Sequence, residues 1–167
     1  MEIRDARYSE ILRDPNAQAL VREYSNECSL PELGEARPQA HIYEALERGG
    51  SMQSYGLYEG EHLIGFAVLL FYPLPHYGKL IAATESIFIA AEHRGNGNGE
   101  QLLKFIESVA RERGCAAVQY SVPVGSRFGR LLDLRAMQSR LHELRPGKAA
   151  PAPRYRMTNR VYMRELA

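Results

Sequence analysis

The sequence predicts one mixed α/β domain built on a central sheet, and three stretches carry that expectation. Met52 to Tyr58 and His62 to Tyr72 are strand-length apolar runs joined at Glu59-Gly60-Glu61; such a junction is a hairpin signal and makes the pairing antiparallel. The second run is apolar at both parities, with Ile64, Phe66, Val68 and Leu70 expected on one face and Leu63, Ala67, Leu69 and Phe71 on the other. A strand apolar on both faces is central and covered on both sides. Thr84 to Arg113 reads as an apolar strand, a turn holding Gly95, Gly97 and Gly99, and an amphipathic helix that starts directly after the last glycine. With 167 residues, the chain is long enough for one sizeable core and short for two. Residues 1–167 are therefore expected to form a single domain, with no internal repeat.

Met1 to Tyr8 alternates weakly and fits an edge strand. Ser9 to Cys28 carries apolar residues at helical spacing, Ile11, Leu12, Ala19, Leu20 and Tyr24, with Asp14-Pro15-Asn16 as a turn or helix start inside it. Leu30 to Pro38 is a loop by its prolines and Gly34. Gln39 to Arg48, with Ile42, Tyr43 and Leu46 before a Gly49-Gly50 stop, is a short helix. Pro73 to Gly78 turns the chain into the next strand, Leu80 to Ala90. Beyond the glycines, Leu102, Leu103, Ile106, Val109 and Ala110 form one apolar helical stripe that Gly114 ends. Ala116 to Val122 is a further strand and Ser126 to Leu144 a helix. Arg145 to Pro153 is linker-like, and Tyr155 to Leu166 alternates as a last strand.

Net charge is +1, so no global field draws the chain to nucleic acid or membrane. The distribution is uneven: residues 1–126 hold 11 Lys and Arg against 17 Asp and Glu, a net −6, while residues 127–167 hold 10 against 3, a net +7. A basic C-terminal quarter suits an acidic substrate, coenzyme phosphates, the acidic half of another subunit, or simply a solvated face. The two cysteines, Cys28 and Cys115, have no metal-like spacing and form no disulfide framework, so a reducing compartment and no metal are expected. The charged start M-E-I-R-D-A-R gives no secretory signal, and the longest apolar run, Leu63 to Leu74, is too short to span a bilayer. A cytoplasmic protein is the expectation.

The glycine turn is the chemical centre of the chain. Glycines that take φ > 0 and carry no Cβ let successive peptide N–H groups converge on one anion, and the following helix aims its unpaired N–H groups and dipole at the same point. A phosphate or pyrophosphate is the natural occupant. The spacing G-x-G-x-G is not the G-x-G-x-x-G of a Rossmann turn, and Glu100-Gln101 after Gly99 is not the Lys-Ser/Thr of a Walker loop. What R-G-N-G-N-G, Arg94 to Gly99, does resemble is motif A of the GNAT superfamily of N-acetyltransferases, [QR]-x-x-G-x-[GA], with Arg94, Gly97 and Gly99 on its defined positions. The preceding E-S-I-F-I-A-A-E-H-R is similar in length and pattern to that family's fourth strand and turn. The H-Y-G turn, the E-S-I-F strand, the G-S after the fifth strand and the late Y-x-x-T-N segment also resemble compact members of phage or prophage origin.

The resemblance implies a twisted, mostly antiparallel sheet of six to seven strands flanked by about four helices and splayed between the fourth and fifth strands. It implies acetyl-CoA as cosubstrate, an amine as acceptor, transfer by direct attack in a ternary complex, and a homodimer as the common assembly. The first two helices and their loop would form part of the acceptor wall. Carried onto this chain, Ile87, Phe88 and Ile89 would meet the pantetheine arm, and Arg94, Gly95, Asn96, Gly97, Asn98 and Gly99 the pyrophosphate, with Arg94 either adding charge or capping the turn. Ser126 would hydrogen-bond the pantetheine. Several members, the spermidine/spermine acetyltransferases among them, place a glutamate base where this chain has Glu85. Strict strand parity puts Glu85 on the face of Ile87 and Ile89. A free glutamate, with pKa about 4.3, is a weak base at neutral pH, so the base role needs burial or a water relay, and the alternative is a carboxylate that orients a cation or pairs with an arginine. His76 in the P-H-Y-G turn is an alternative base. The family's tyrosine acid, in a pattern like N-x-x-A-x-x-x-Y, falls on Asp133 here, with Ser126 and Gly129 at the Asn and Ala positions. Tyr155, Tyr77 or water are left as proton donors. A non-catalytic acyl-CoA-binding sensor or assembly subunit is the competing expectation.

Overall fold

Gly60, with φ 62°, turns the hairpin at Glu59-Gly60-Glu61 and joins two of the five strands of a single sheet. The computed structural model describes residues 1–30, 37–143 and 155–158. It divides into two compact units, Met1–Ser121 and Val122–Ala167. In the first, β1 (Glu2–Asp5), β2 (Met52–Glu59), β3 (His62–Leu74), β4 (Lys79–Ile89) and β5 (Ala117–Gln119) lie in sequence order across the sheet. All neighbours pair antiparallel except β4 and β5, which are parallel and matched only over Ile81–Ala83 and Ala117–Gln119. Beyond Ala83 the β4–β5 ladder ends, with the Ser121 N–H donating to Thr84 Oγ1 at 3.0 Å.

The expectation of six to seven strands and about four helices is corrected among the described residues to five strands and five α-helices. Ser9 to Cys28 splits into α1 (Tyr8–Arg13) and α2 (Ala17–Cys28), because Pro15 lacks an N–H and the Asp14 carboxylate instead accepts the Asn16 N–H at 2.9 Å. Residues 155–158 have no regular structure, and the rest of the expected last strand lies outside the described residues.

Helices cover both faces of the sheet in this unit. On one face α4 (Asn98–Glu112) buries all five residues of its predicted stripe. Leu102 and Ile106 pack there against Leu57, Ala67, Leu69, Phe71 and Ile89, each large side chain contributing about 1.5–3 kcal/mol. On the other face α1, α2 and α3 (Ala40–Arg48) cover Leu63, Phe66, Phe88, Met52 and Val68. Ile64 belongs to the α4 core and Leu63 to the opposite one, the reverse of the alternation expected for β3. The register explains it: Leu57 pairs with Gly65 and Tyr58 with Leu63, so Ile64 is an extra residue that flips the parity before Gly65.

The second unit holds α5 (Arg127–Glu143), whose start is capped by Ser126: its Oγ accepts the Gly129 N–H at 3.0 Å. Among the described residues no helix is long and apolar enough to cross a membrane.

Candidate functional site

Glu85 sits on a second irregularity of the sheet. Val68 pairs with Ser86 and Leu69 with Thr84, so Glu85 has no partner on β3 and forms a bulge. The bulge overturns the parity expectation. Thr84 stays on the face of Leu69, and Ile87 and Ile89 pack toward α4, whereas Glu85 emerges with Ser86 on the face of α1, α2 and α3. There the Tyr43 hydroxyl of α3 donates to Glu85 Oε1 at 2.8 Å. The Tyr43 ring lies flat on that of Tyr8, with centroids 4.0 Å apart and planes 8° from parallel. Tyr24 of α2 stands edge-on to Phe66 and Phe88 at 5.3 and 5.6 Å. Glu85 itself is exposed.

These phenols are held in the neutral form. Burial, then the Glu85 hydrogen bond and charge, push Tyr43 well above the ordinary tyrosine range. Burial and then the Glu85 charge push Tyr24 up to about 12. Tyr8 is raised by burial and by Glu85, with a hydrogen bond to Tyr43 acting in the opposite direction. A neutral phenol is a donor beside a carboxylate, so the three tyrosines make a polar-tipped aromatic wall around one acid. The sequence singled out none of them as functional. Tyr43 reads there as an apolar stripe residue with Ile42, yet Ile42 is 49% exposed.

Toward its C-terminal end β4 presents the expected pantetheine segment. Ile87 is half-buried against the α4 core, Phe88 is buried in the opposite core, and the Ile89 carbonyl accepts the Arg94 Nε–H at 2.6 Å. Gly65 makes room for this stretch, since a Cβ there would lie 2.3 Å from the Phe88 carbonyl oxygen.

A 3₁₀ turn, Ala91–His93, then leads into the glycines. Gly95 and Gly97 take φ of 102° and 80°, the left-handed region that side chains resist. Gly97 is the N-cap of α4, which begins at Asn98, so the expected start after Gly99 is corrected: the reversal is complete at Gly97, and Gly99 already lies in the first turn. Asn98 Nδ2 donates to the His93 carbonyl at 2.8 Å and anchors that start. The first i→i−4 bond runs from the Gln101 N–H to the Gly97 carbonyl, 2.9 Å, which leaves the amides of Asn98 and Gly99 ahead of the helical ladder. Gly97, as the N-cap, has no side chain to cap that end, and a Cβ added there would meet nothing within 4 Å. The cradle is open, donor-rich and at the positive end of a 15-residue helix.

Arg94 is spent elsewhere. Its guanidinium makes two 3.0 Å bonds to Glu27, approaches Glu23 at 3.9 Å and lies 5.0 Å from the centroid of Phe88, with 20% of the side chain exposed. It clamps α2 to the end of β4, and the cradle's donors are peptide groups.

Within the first unit, His76 and Tyr77 are not gathered at Glu85. His76 is exposed in the β3–β4 turn, six positions of strand and a turn away from Glu85, roughly 20 Å at about 3.3 Å per residue. Tyr77 beside it is 71% exposed. In the second unit, Ser126 spends its Oγ on the α5 cap, Asp133 is exposed on α5, and the half-buried Tyr155 donates its backbone N–H to Ser139 Oγ at 3.2 Å.

Solved structures with the same fold include several acetyltransferases. A ribosomal-protein-alanine N-acetyltransferase from Brucella melitensis biovar Abortus 2308 is 21% identical over 80% of this chain and 88% of its own, with a TM-score of 0.60. An aminoglycoside acetyltransferase from an uncultured soil metagenomic sample is 10% identical over 97% of each chain, TM-score 0.63. A predicted acetyltransferase from Clostridium acetobutylicum, solved with acetyl-CoA, is 16% identical over 75% of this chain and 83% of its own, TM-score 0.56. The profile of the acetyltransferase (GNAT) family matches residues 13–125, a span that contains Glu85, the parallel β4–β5 pair and the whole glycine turn. The chain belongs to the acetyltransferase (GNAT) family.

Proposed function

We propose that this chain transfers the acetyl group of acetyl-CoA to a primary amine by direct attack in a ternary complex, with Glu85 as the base. The observation that carries the reading is the single strand β4, which bears a bulged carboxylate at Glu85 and runs on into the open turn at Gly95–Gly97. The cradle fits a pyrophosphate, because its amides precede the first helical bond and Gly97 faces open space. Asn98 and Gly99 would hold that group through their N–H bonds, and the stretch of β4 beyond its pairing with β5 would run beside the pantetheine arm.

Acetyl-CoA supplies the thioester. An alkyl amine arrives as an ammonium ion with pKa about 10.4 and must lose a proton before it attacks. Glu85 takes that proton, directly or through water, before attack; as the N–C bond forms and the C–S bond breaks, the nitrogen gives its second proton to water. The absence of a tyrosine at position 133 is tolerable on chemical grounds. A thiol with a pKa of about 8.5, as in cysteine, departs as the thiolate and takes its proton from water.

Thiol release over a panel of acceptors tests this: propylamine, spermidine, kanamycin, a peptide with an amino-terminal alanine and a peptide with an internal lysine. Glu85→Gln should lower kcat on the order of 100-fold or more while acetyl-CoA binding, read by calorimetry, changes less than about twofold. A mutant that turns over as fast as wild type removes Glu85 as the base. Asp133, exposed on α5, favours a second reading, an acyl-CoA-binding sensor or assembly subunit. That reading gives the same calorimetric binding with no thiol release above the buffer rate.

A further inference from the structure

We infer that Tyr43 is a positioning residue that holds the Glu85 carboxylate in its working orientation. The inference rests on Glu85 as the base. A bulged, exposed glutamate has several rotamers open to it, and a base works only when its oxygen is held within hydrogen-bond reach of the proton it takes. Tyr43 Oη binds Oε1 at 2.8 Å. That leaves Oε2 to the acceptor.

The tyrosine is itself held. Its ring stacks at 4.0 Å on Tyr8, which is 8% exposed and packs with Met52 and Val68. The backbone N–H of Tyr8 donates to Glu47 Oε1 at 2.8 Å, and that same oxygen accepts from Ser54 Oγ at 2.8 Å. The chain of support thus runs from the sheet through Glu47 and Tyr8 to Tyr43, and from Tyr43 to the bulge. The phenol that donates is kept protonated by burial and by the carboxylate it serves, so it remains a donor over the whole range in which Glu85 acts as a base.

Tyr43→Phe deletes the hydroxyl and keeps the ring stack, so the fold survives. The test is a double-mutant cycle of Tyr43→Phe with Glu85→Gln, read as kcat for thiol release with the best acceptor of the same panel. Tm and the acetyl-CoA Kd are measured beside it. Tyr43→Phe alone should lower kcat about tenfold, the loss of one hydrogen bond to a charged group, with the acetyl-CoA Kd unchanged within about twofold. The double mutant should match Glu85→Gln within about twofold, since a residue that acts through Glu85 has nothing left to act on. A merely structural tyrosine would instead lower Tm and multiply the two losses. Multiplied losses, or a Tyr43→Phe enzyme as fast as wild type, overturn the role of Tyr43 and leave acetyl transfer standing. A wild-type protein inert across the panel overturns acetyl transfer, and the role of Tyr43 with it.

Discussion

Replacing Arg94 separates two roles that one motif position can play. As an anion ligand its loss would weaken coenzyme binding at little cost in stability; as the clamp seen here its loss costs stability first. The Nε–H bond to the Ile89 carbonyl, 2.6 Å, comes from a charged donor and is worth about 1.5–3 kcal/mol. The paired bonds to Glu27 are well formed, but that carboxylate is 43% exposed, which limits the ion pair to about 0.5–1 kcal/mol. Contact with the Phe88 ring at 5.0 Å adds about 0.5–1 kcal/mol. Since neighbouring terms overlap, Arg94→Ala should lose about 2–4 kcal/mol. In a chain of this size that lowers Tm by about 5–15 °C. Arg94→Lys keeps the charge without the planar fork and should lose most of the same amount. The assay is urea unfolding together with calorimetric titration of acetyl-CoA well below Tm, where Kd should rise less than about threefold because the cradle's donors are peptide groups. An Arg94→Ala protein of wild-type stability, whose affinity falls tenfold or more only at low salt, would refute the clamp.

Two further outcomes follow from the sheet and the aromatic wall. Gly65→Ala should destabilise by about 1–3 kcal/mol and weaken acetyl-CoA binding. Its Cβ would lie 2.3 Å from the Phe88 carbonyl oxygen and 3.1 Å from the Ile89 Cα, backbone atoms that can yield only if β4 moves; urea unfolding that matches wild type would sink this. Tyr24 gives an alkaline limb. Its folded pKa of about 12 lies above that of a free phenol, raised by burial first and then by Glu85, so the stability it contributes is complete below pH about 10 and is lost as pH rises through 12. Tyr24→Phe has no proton to lose there. Its unfolding free energy should fall less than wild type over that window, by on the order of 1–2 kcal/mol once residual solvent is allowed for, and parallel profiles would exclude Tyr24 as the source.

What a single element dictates was legible in the chain. The α4 stripe Leu102, Leu103, Ile106, Val109 and Ala110 is buried as its spacing requires, and the doubly apolar β3 is central. The cradle was legible as well, because φ > 0 at Gly95 and Gly97 is a demand that glycine alone meets cheaply. What failed depends on two elements at once. Ile64 and Leu63 exchange faces through a register offset against β2, and no property of β3 alone records where a partner strand slips. Arg94 occupies its motif position, yet its direction is set by Glu27 and Glu23 on α2, some seventy positions earlier in the chain. Tyr43 carried no signal beyond apolarity. Its function lies in a hydroxyl whose partner is forty-two residues away.

The bulge at Glu85 resolves a conflict that a regular strand would leave standing. β4 must keep Ile87 and Ile89 on the α4 core, where Ile89 is buried, and under strict alternation that places Glu85 on the same apolar face. An unpaired carboxylate there would carry a burial cost of several kcal/mol. One extra residue opposite the Val68–Leu69 step turns Glu85 and Ser86 together toward α1, α2 and α3, and the apolar alternation resumes at Ile87. The Glu85 carboxylate and the glycine turn thereby sit on one continuous stretch of backbone, with their separation set by β4 and its turn. The tyrosines around Glu85 belong instead to α1, α2 and α3. Substitutions on those helices can therefore reshape the surroundings of Glu85 while the spacing between Glu85 and Gly97 stays as β4 fixes it.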